Sequence, residues 1–285
     1  MIIVQVIVGG LLLGAVYALF SAGLTLIWGM MNVVNFAHGD FVMIGMYVAF
    51  WIFTLVHGGP LVFGPAAAAV LFGLGVWAYV GLVRHVMSGT LLSQMLATFG
   101  LALVLRYSAL WGFTSNFRTL PDDLMGGSLN LGGILVGTPL LVAGLVAIAL
   151  TVALHLLLTR TAVGSQLLAV SEDRSAAMLM GIRPDRMQAL AWGLAGIGAG
   201  IAGALFATFY PIAPTVGESL ALIAFVVVSL GGFGSVPGAL LAGLIIGVIQ
   251  ELSAYLLGPV YKDVVVYALF VAVLWVRPQG LFGKF

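Results

Sequence analysis

Four long stretches of this chain carry no formal charge. Residues 1–39, 41–83, 187–217 and 219–250 contain no Lys, Arg, Asp or Glu. Crossing the hydrocarbon core takes about 20 apolar residues, so each stretch is long enough for at least one passage. Over the 285 residues, 62% are hydrophobic and 7% charged, whereas a soluble domain carries roughly 25% charged residues. A soluble fold cannot hide that much apolar surface, so lipid is the solvent. In lipid every backbone N–H and C=O must be bonded within the protein, which makes each run a helix. The expected fold is all-α: a single transmembrane domain over 1–285, built as a polytopic helical bundle of eight or nine spans with broken or re-entrant helices.

Gly, Pro and charge clusters place the spans at 3–28, 41–56, 61–83, 91–111, 139–158, 187–210, 219–230, 237–257 and 264–276. No basic region precedes the first apolar run, which is therefore read as a retained span. If the loops holding Arg84, residues 160–186 and residues 277–284 face the cytoplasm, they carry Arg84, Arg160, Arg174, Arg183, Arg186, Arg277 and Lys284. Only Arg118 and Lys262 remain for the other side. That asymmetry follows the positive-inside rule and puts the C-terminus in the cytoplasm. Nine spans put the N-terminus outside; eight put it inside.

Composition also excludes several chemistries. The net charge of +1 and the absence of a basic, aromatic-studded patch give no reason to expect nucleic-acid binding. There is no cysteine, and His38, His57, His85 and His155 are scattered without ligand spacing, so neither a disulfide nor a metal site is expected. No nucleophile, base and acid spacing stands out, and no Gly-x-x-x-x-Gly-Lys-[Ser/Thr] loop occurs. An enzyme is not expected, and nucleotide would have to bind elsewhere.

Small residues recur at four-residue spacing at Gly10 and Gly14, Gly196 and Gly200, and Gly243 and Gly247. In lipid such faces let helix backbones approach closely, here within one subunit rather than between two. Two polar interruptions break the apolar runs: GMMNVVNFAHGDF, with Asn32, Asn35, His38 and Asp40, and LGGFGSVPGAL, with Gly231, Gly232, Gly234, Ser235 and Pro237. Transporters put solute sites where helices are broken at membrane depth, because unwound backbone there must face a cavity. An interfacial turn is the other reading. Arg106 and Glu251 fall inside spans and either line a route or pair internally, while Glu218 is read as a helix cap near the outer surface.

The most charged loop, residues 159–186, has its own helix signals. Ser171 is a good N-cap, Glu172 and Asp173 suit a first turn, and Gly181 suits a left-handed stop, giving a short helix over 172–180. Ala176, Leu179 and Met180 form one apolar face that fits either a groove in a partner protein or the membrane surface. Pro184 suits the first turn of the next span.

At these motifs the sequence resembles LivH-type permeases of the branched-chain amino acid ABC importers. The resemblance runs through GLTLIWGMMNVVNFAHGD at 23–40, AVSEDRSAAMLMGIRPDRMQAL at 169–190, SLGGFGSVPGALLAG at 229–243, YKDVV at 261–265 and RPQGLFG at 277–283. It implies a prokaryotic inner-membrane subunit that pairs with a second homologous permease, two cytoplasmic ATPase subunits and an extracytoplasmic solute-binding protein. ATP and Mg belong to the ATPases, and this chain binds no cofactor. The segment from Glu172 to Gly181 is then similar to the helix that docks on an ATPase. Two departures stand out: Gly164, Ser165, Gln166, Leu167 and Leu168 fill positions where the family often has basic residues, and Ile223 stands where it often has Lys. The wider family carries urea, short amides and aromatic acids as well as branched-chain amino acids. An ion-coupled secondary transporter or channel acting alone is the competing class, and it requires an intramembrane carboxylate relay.

Overall fold

The computed structural model describes residues 2–57, 59–121, 126–277 and 280. In chain order the elements are α1 (Ile2–Met31), α2 (His38–Val56), α3 (Pro60–Ala78), a π-helical turn (Tyr79–Val83) and α4 (Arg84–Val86). There follow α5 (Leu91–Phe113), the hairpin β1 (Ser128–Leu131) and β2 (Ile134–Gly137), α6 (Thr138–Arg160), α7 (Ala162–Glu172) and α8 (Arg174–Leu179). The chain ends with α9 (Pro184–Phe206), α10 (Val216–Gly231), α11 (Val236–Leu257), a 3₁₀ turn (Pro259–Tyr261) and α12 (Lys262–Val276). Among the described residues eight helices are long and apolar enough to cross a membrane. The expected ninth, α10, has 16 residues and is too short to join them by length. At 1.5 Å per residue it reaches about 24 Å, less than the roughly 30 Å of a bilayer's hydrocarbon.

Apolar side chains cannot drive helix association against lipid tails that are equally apolar, so close approach and polar bonds do it. Gly10 and Gly14 of α1 meet Gly247 and Gly243 of α11 backbone to backbone: a Cβ on Gly14 would collide with the Gly243 carbonyl, and one on Gly247 with that of Gly10. Gly196 and Gly200 of α9 lie as closely on Leu71 and Ala67 of α3. The expected seams are crossings inside this one chain. Around them Phe20, Phe41, Trp192 and Phe206 fill the centre, while Trp111 and Trp275 face outward from the bundle.

One end of the bundle gathers the charged loop. Leu26 and Met30 at the end of α1 pack with Leu167, Val170 and Ala177. Gly29 touches Gly234, and Gly280, at φ +76°, lies against Ser229 and Gly232. The C-terminal residues 277 and 280 therefore share an end with α7, α8 and the α10–α11 turn. The rest of the RPQGLFG motif, with Lys284, lies outside the described residues. The hairpin, which the all-α expectation did not include, sits at the other end of α6. Its turn is fastened by Asn130, whose Oδ1 accepts the Gly133 N–H.

Candidate functional site

The first interruption is a true break. Asn32 takes a left-handed conformation (φ 52°) as its N–H ends α1 on the Trp28 carbonyl. Residues 32–37 then run back along the bundle interior, and α2 starts beside the middle of α1, where His38 Nε2 lies 2.6 Å from the Phe20 carbonyl. A carbonyl only accepts, so Nε2 carries the proton and Nδ1 is left without a partner. Asn35 Oδ1 accepts the Ala37 N–H at 3.1 Å, and Thr98 of α5 donates to the Val34 carbonyl at 2.9 Å, replacing ladder bonds the break gives up. Asn35, His38 and Asp40 are fully buried, whereas Asn32 is exposed.

The residues singled out in the two interruptions do not form one cluster. Phe36 packs on Phe225 in the middle of α10, so the broken segment runs alongside α10 from one end to the other. At its first end, Gly234 touches Gly29 and Phe233 packs on Trp28, with ring centroids 4.5 Å apart. Gly231 and Gly238 cross backbone to backbone there, Gly232 and Gly234 hold positive φ, and Ser235 caps α11 by accepting the Gly238 N–H. At its second end, Gly39 and Asp40 lie against Gly217 in the first turn of α10. Asn32 and the Gly231–Gly232–Gly234–Ser235 turn thus belong near one end of α10, and Asp40 to the other.

Asp40 has a partner that local pattern did not supply. Arg106 of α5 donates Nε to Asp40 Oδ1 at 3.3 Å and Nη2 to Oδ2 at 3.4 Å, and its Nη1 reaches Glu218 Oε2 at 2.9 Å. Of the two sequence alternatives for Arg106, internal pairing is what the structure has. Glu218 does stand in the first turn of α10, yet its carboxylate serves Arg106 rather than an N-cap. Lone charges in an apolar run signal that a partner exists; they do not say where.

The charged loop differs from the expected single helix over 172–180. Two helices meet at Asp173, with φ −149° and ψ 106°. Thr161 caps α7 by accepting the Gly164 N–H, and Glu172 is the last residue of α7 rather than part of a first turn. Ser171 caps nothing: its hydroxyl donates back to Leu168. Asp173 is the N-cap of α8, accepting from the N–H groups of Ser175 and Ala176 at 2.8 and 3.0 Å. Both are good capping types, and Asp173 prevails because a carboxylate accepts two N–H bonds at the positive end of a helix.

Gly181 does stop the helix, with φ +81°. Its N–H bonds the Met178 carbonyl and that of Ile182 bonds Ala177, the paired bonds of a Schellman motif. Pro184 opens α9 as expected. The expected apolar face of Ala176, Leu179 and Met180 is exposed. Ala177 makes the contact with the rest of the chain, while Leu179 is 89% and Met180 82% exposed. Arg174 fastens α8 to α9 through Asp185 at 2.8 Å, and Tyr79 of the π turn lies 3.4 Å from the same carboxylate oxygen.

A family model described as "Branched-chain amino acid transport system / permease component" matches residues 6–274. The branched-chain amino acid permease BraD of Pseudomonas aeruginosa is 30% identical over 293 residues, covering 98% of this chain and 95% of that protein. LivH of Escherichia coli K12 is 32% identical, with the same 98% and 95% coverage. A fructose import permease, FrcC of Rhizobium meliloti, is 32% identical over 65% of this chain and 54% of its own length. No solved structure matches the chain. With the family model matching residues 6–274 and nearly the whole length aligned to such proteins, the chain belongs to the permease components of branched-chain amino acid transport systems.

Proposed function

We propose that this chain is the membrane-spanning half of an ATP-driven importer in a prokaryotic inner membrane, working by alternating access. A second homologous permease completes the pathway, two cytoplasmic ATPase subunits hold ATP and Mg, and an extracytoplasmic binding protein delivers the solute. The solute is a branched-chain amino acid or a similar small polar molecule such as urea or an amide. The fructose permease among the relatives is the reason for stating the solute as a class.

The observation that carries this reading is α8. Met178, Leu179 and Met180 are all exposed, on a helix fixed at one end by Asp173 and at the other by Gly181, in the most charged loop of the chain. A capped, rigid helix presenting bare apolar side chains fits a groove in a partner protein. Covering Leu179 is worth about 1.5–3 kcal/mol. Glu172, Asp173, Ala176, Leu179, Met180 and Gly181 are accordingly read as the ATPase-coupling element. The stand-alone transporter reading lacks support, because Asp40 is held by Arg106 and Glu251 makes no ion pair among the described residues.

Leu179→Asp tests the proposal, since a carboxylate resists burial in an apolar contact yet is harmless on a helix that stays in water. The variant is expected to insert normally while losing ATPase subunits on co-purification, or hydrolysing ATP without uptake. Full uptake with normal ATPase retention would overturn the reading.

A further inference from the structure

Hydroxyls on the spanning helices usually bond the carbonyl one turn back: Thr54 bonds Phe50, Thr151 bonds Ala147, and Ser253 bonds Ile249. Ser21 and Thr25 of α1 do not. Both are fully buried, and neither oxygen has a hydrogen-bond partner among the described residues. Four residues apart, they share one face of α1.

Two more orphans lie on the segment that runs back along α1. Asn35 Nδ2 and His38 Nδ1 are likewise unpartnered, on residues with no exposed area. His38 is anchored to the carbonyl of Phe20, the residue before Ser21, and its backbone N–H bonds the Asn35 carbonyl. Four polar groups thus sit where α1 and the broken segment meet, and none carries a formal charge. The set mixes a donor, in Asn35, with an acceptor in His38 and hydroxyls that do both. Buried polar groups are normally bonded, so four orphans in one place mark a conformation that keeps them from their partner.

Building on the importer reading above, we propose that Ser21, Thr25, Asn35 and His38 are the closed lining of the solute passage. When the passage opens, they bind a small solute of zero net charge bearing both donors and acceptors. Ser21 and Thr25, which no sequence motif marked, are then lining residues on the same footing as Asn35 and His38.

The chain has no cysteine, so Ser21→Cys and Thr25→Cys each introduce a single, nearly isosteric thiol. The purified membrane complex carrying either variant is treated with a small methanethiosulfonate reagent, without nucleotide, after trapping with ATP and vanadate, and with added leucine. The expected result is a labelling rate that changes about tenfold or more between conditions, because the open fraction sets access. Ala18→Cys, on a buried apolar neighbour in α1, is expected to stay unreactive throughout. Thiols at 21 and 25 that respond to neither trapped nucleotide nor leucine overturn the lining. ATPase retention, read in the same preparation, reports separately on the importer reading, and the leucine arm reports on the lining whether or not ATPases are retained.

Discussion

The Tyr79 hydroxyl donates to Gln188 Oε1 across 2.6 Å, joining the π-helical turn after α3 to the first turns of α9. The same hydroxyl reaches Asp185, which also accepts Arg174 of α8, so a displacement of α8 reaches both spans through one carboxylate. A π turn marks a place where a helix can change register at low cost, and such turns collect at functional sites. Tyr79→Phe removes the donor and leaves the buried Gln188 oxygen unmatched, a cost of about 1–3 kcal/mol. The expected outcome is a modest fall in thermal stability with a larger fall in solute moved per ATP hydrolysed, measured in proteoliposomes. An unchanged ratio would make this contact static packing.

Much of the bundle was legible because, in lipid, composition itself encodes position. The span expected at 91–111 is Leu91–Phe113, and that at 237–257 is Val236–Leu257. Pairings across the chain were not legible. Arg106 announced a partner, but nothing local points to Asp40, 66 residues away. The two interruptions look alike in sequence because each breaks an apolar run, whereas the path of residues 32–37 along α10 sends Asp40 to one end and Ser235 to the other. In the charged loop two capping residues, Ser171 and Asp173, lie two positions apart, and only the break in backbone direction shows which one starts a helix.

The Arg106 bridge makes a quantitative expectation. Asp40 is fully buried, and removing one member of a buried pair typically costs about 3–5 kcal/mol, because the charge left behind has lost its solvent and its partner. Arg106→Leu is expected to lower the midpoint of thermal unfolding in detergent strongly. Adding Asp40→Asn removes the orphaned charge and recovers most of the loss. Glu218→Gln changes little, because that carboxylate is 67% exposed. If the double variant is no better than Arg106→Leu alone, the bridge is not what Arg106 contributes.

The α3–α9 crossing yields a sharper contrast. A Cβ at Gly196 collides with the Leu71 carbonyl, and one at Gly200 falls 2.6 Å from the Ala67 carbonyl, so backbone would have to move. Gly73, on the same α3 helix, has nothing within 4 Å of its Cβ position. Gly196→Leu with Gly200→Leu is expected to destabilise the purified protein by at least the roughly 1–3 kcal/mol of an overpacked core. Gly73→Ala is expected to be neutral, or stabilising by about 0.5–1 kcal/mol from helix propensity. Thermal melts of the two variants side by side decide it; equal melts would mean that α3 and α9 do not cross at these glycines.

Sidedness follows from one helix and one charge count. α6 has 23 residues between the β hairpin and α7, about 34 Å of helix and enough to cross the hydrocarbon. The hairpin and the charged loop therefore stand on opposite sides of the membrane, whichever side each takes. The arginines at 160, 174, 183 and 186 favour the cytoplasm for the loop. In intact cells, cysteines at Ser165 or Ser175 are expected to resist an impermeant thiol reagent and to react after lysis. A cysteine at Asn130, in the exposed hairpin, is expected to react from outside. A swap of the two patterns would invert the membrane orientation while leaving the bundle intact. Labelling of both positions from one side would mean that α6 does not span, and would remove the structural basis for placing α8 against a cytoplasmic ATPase.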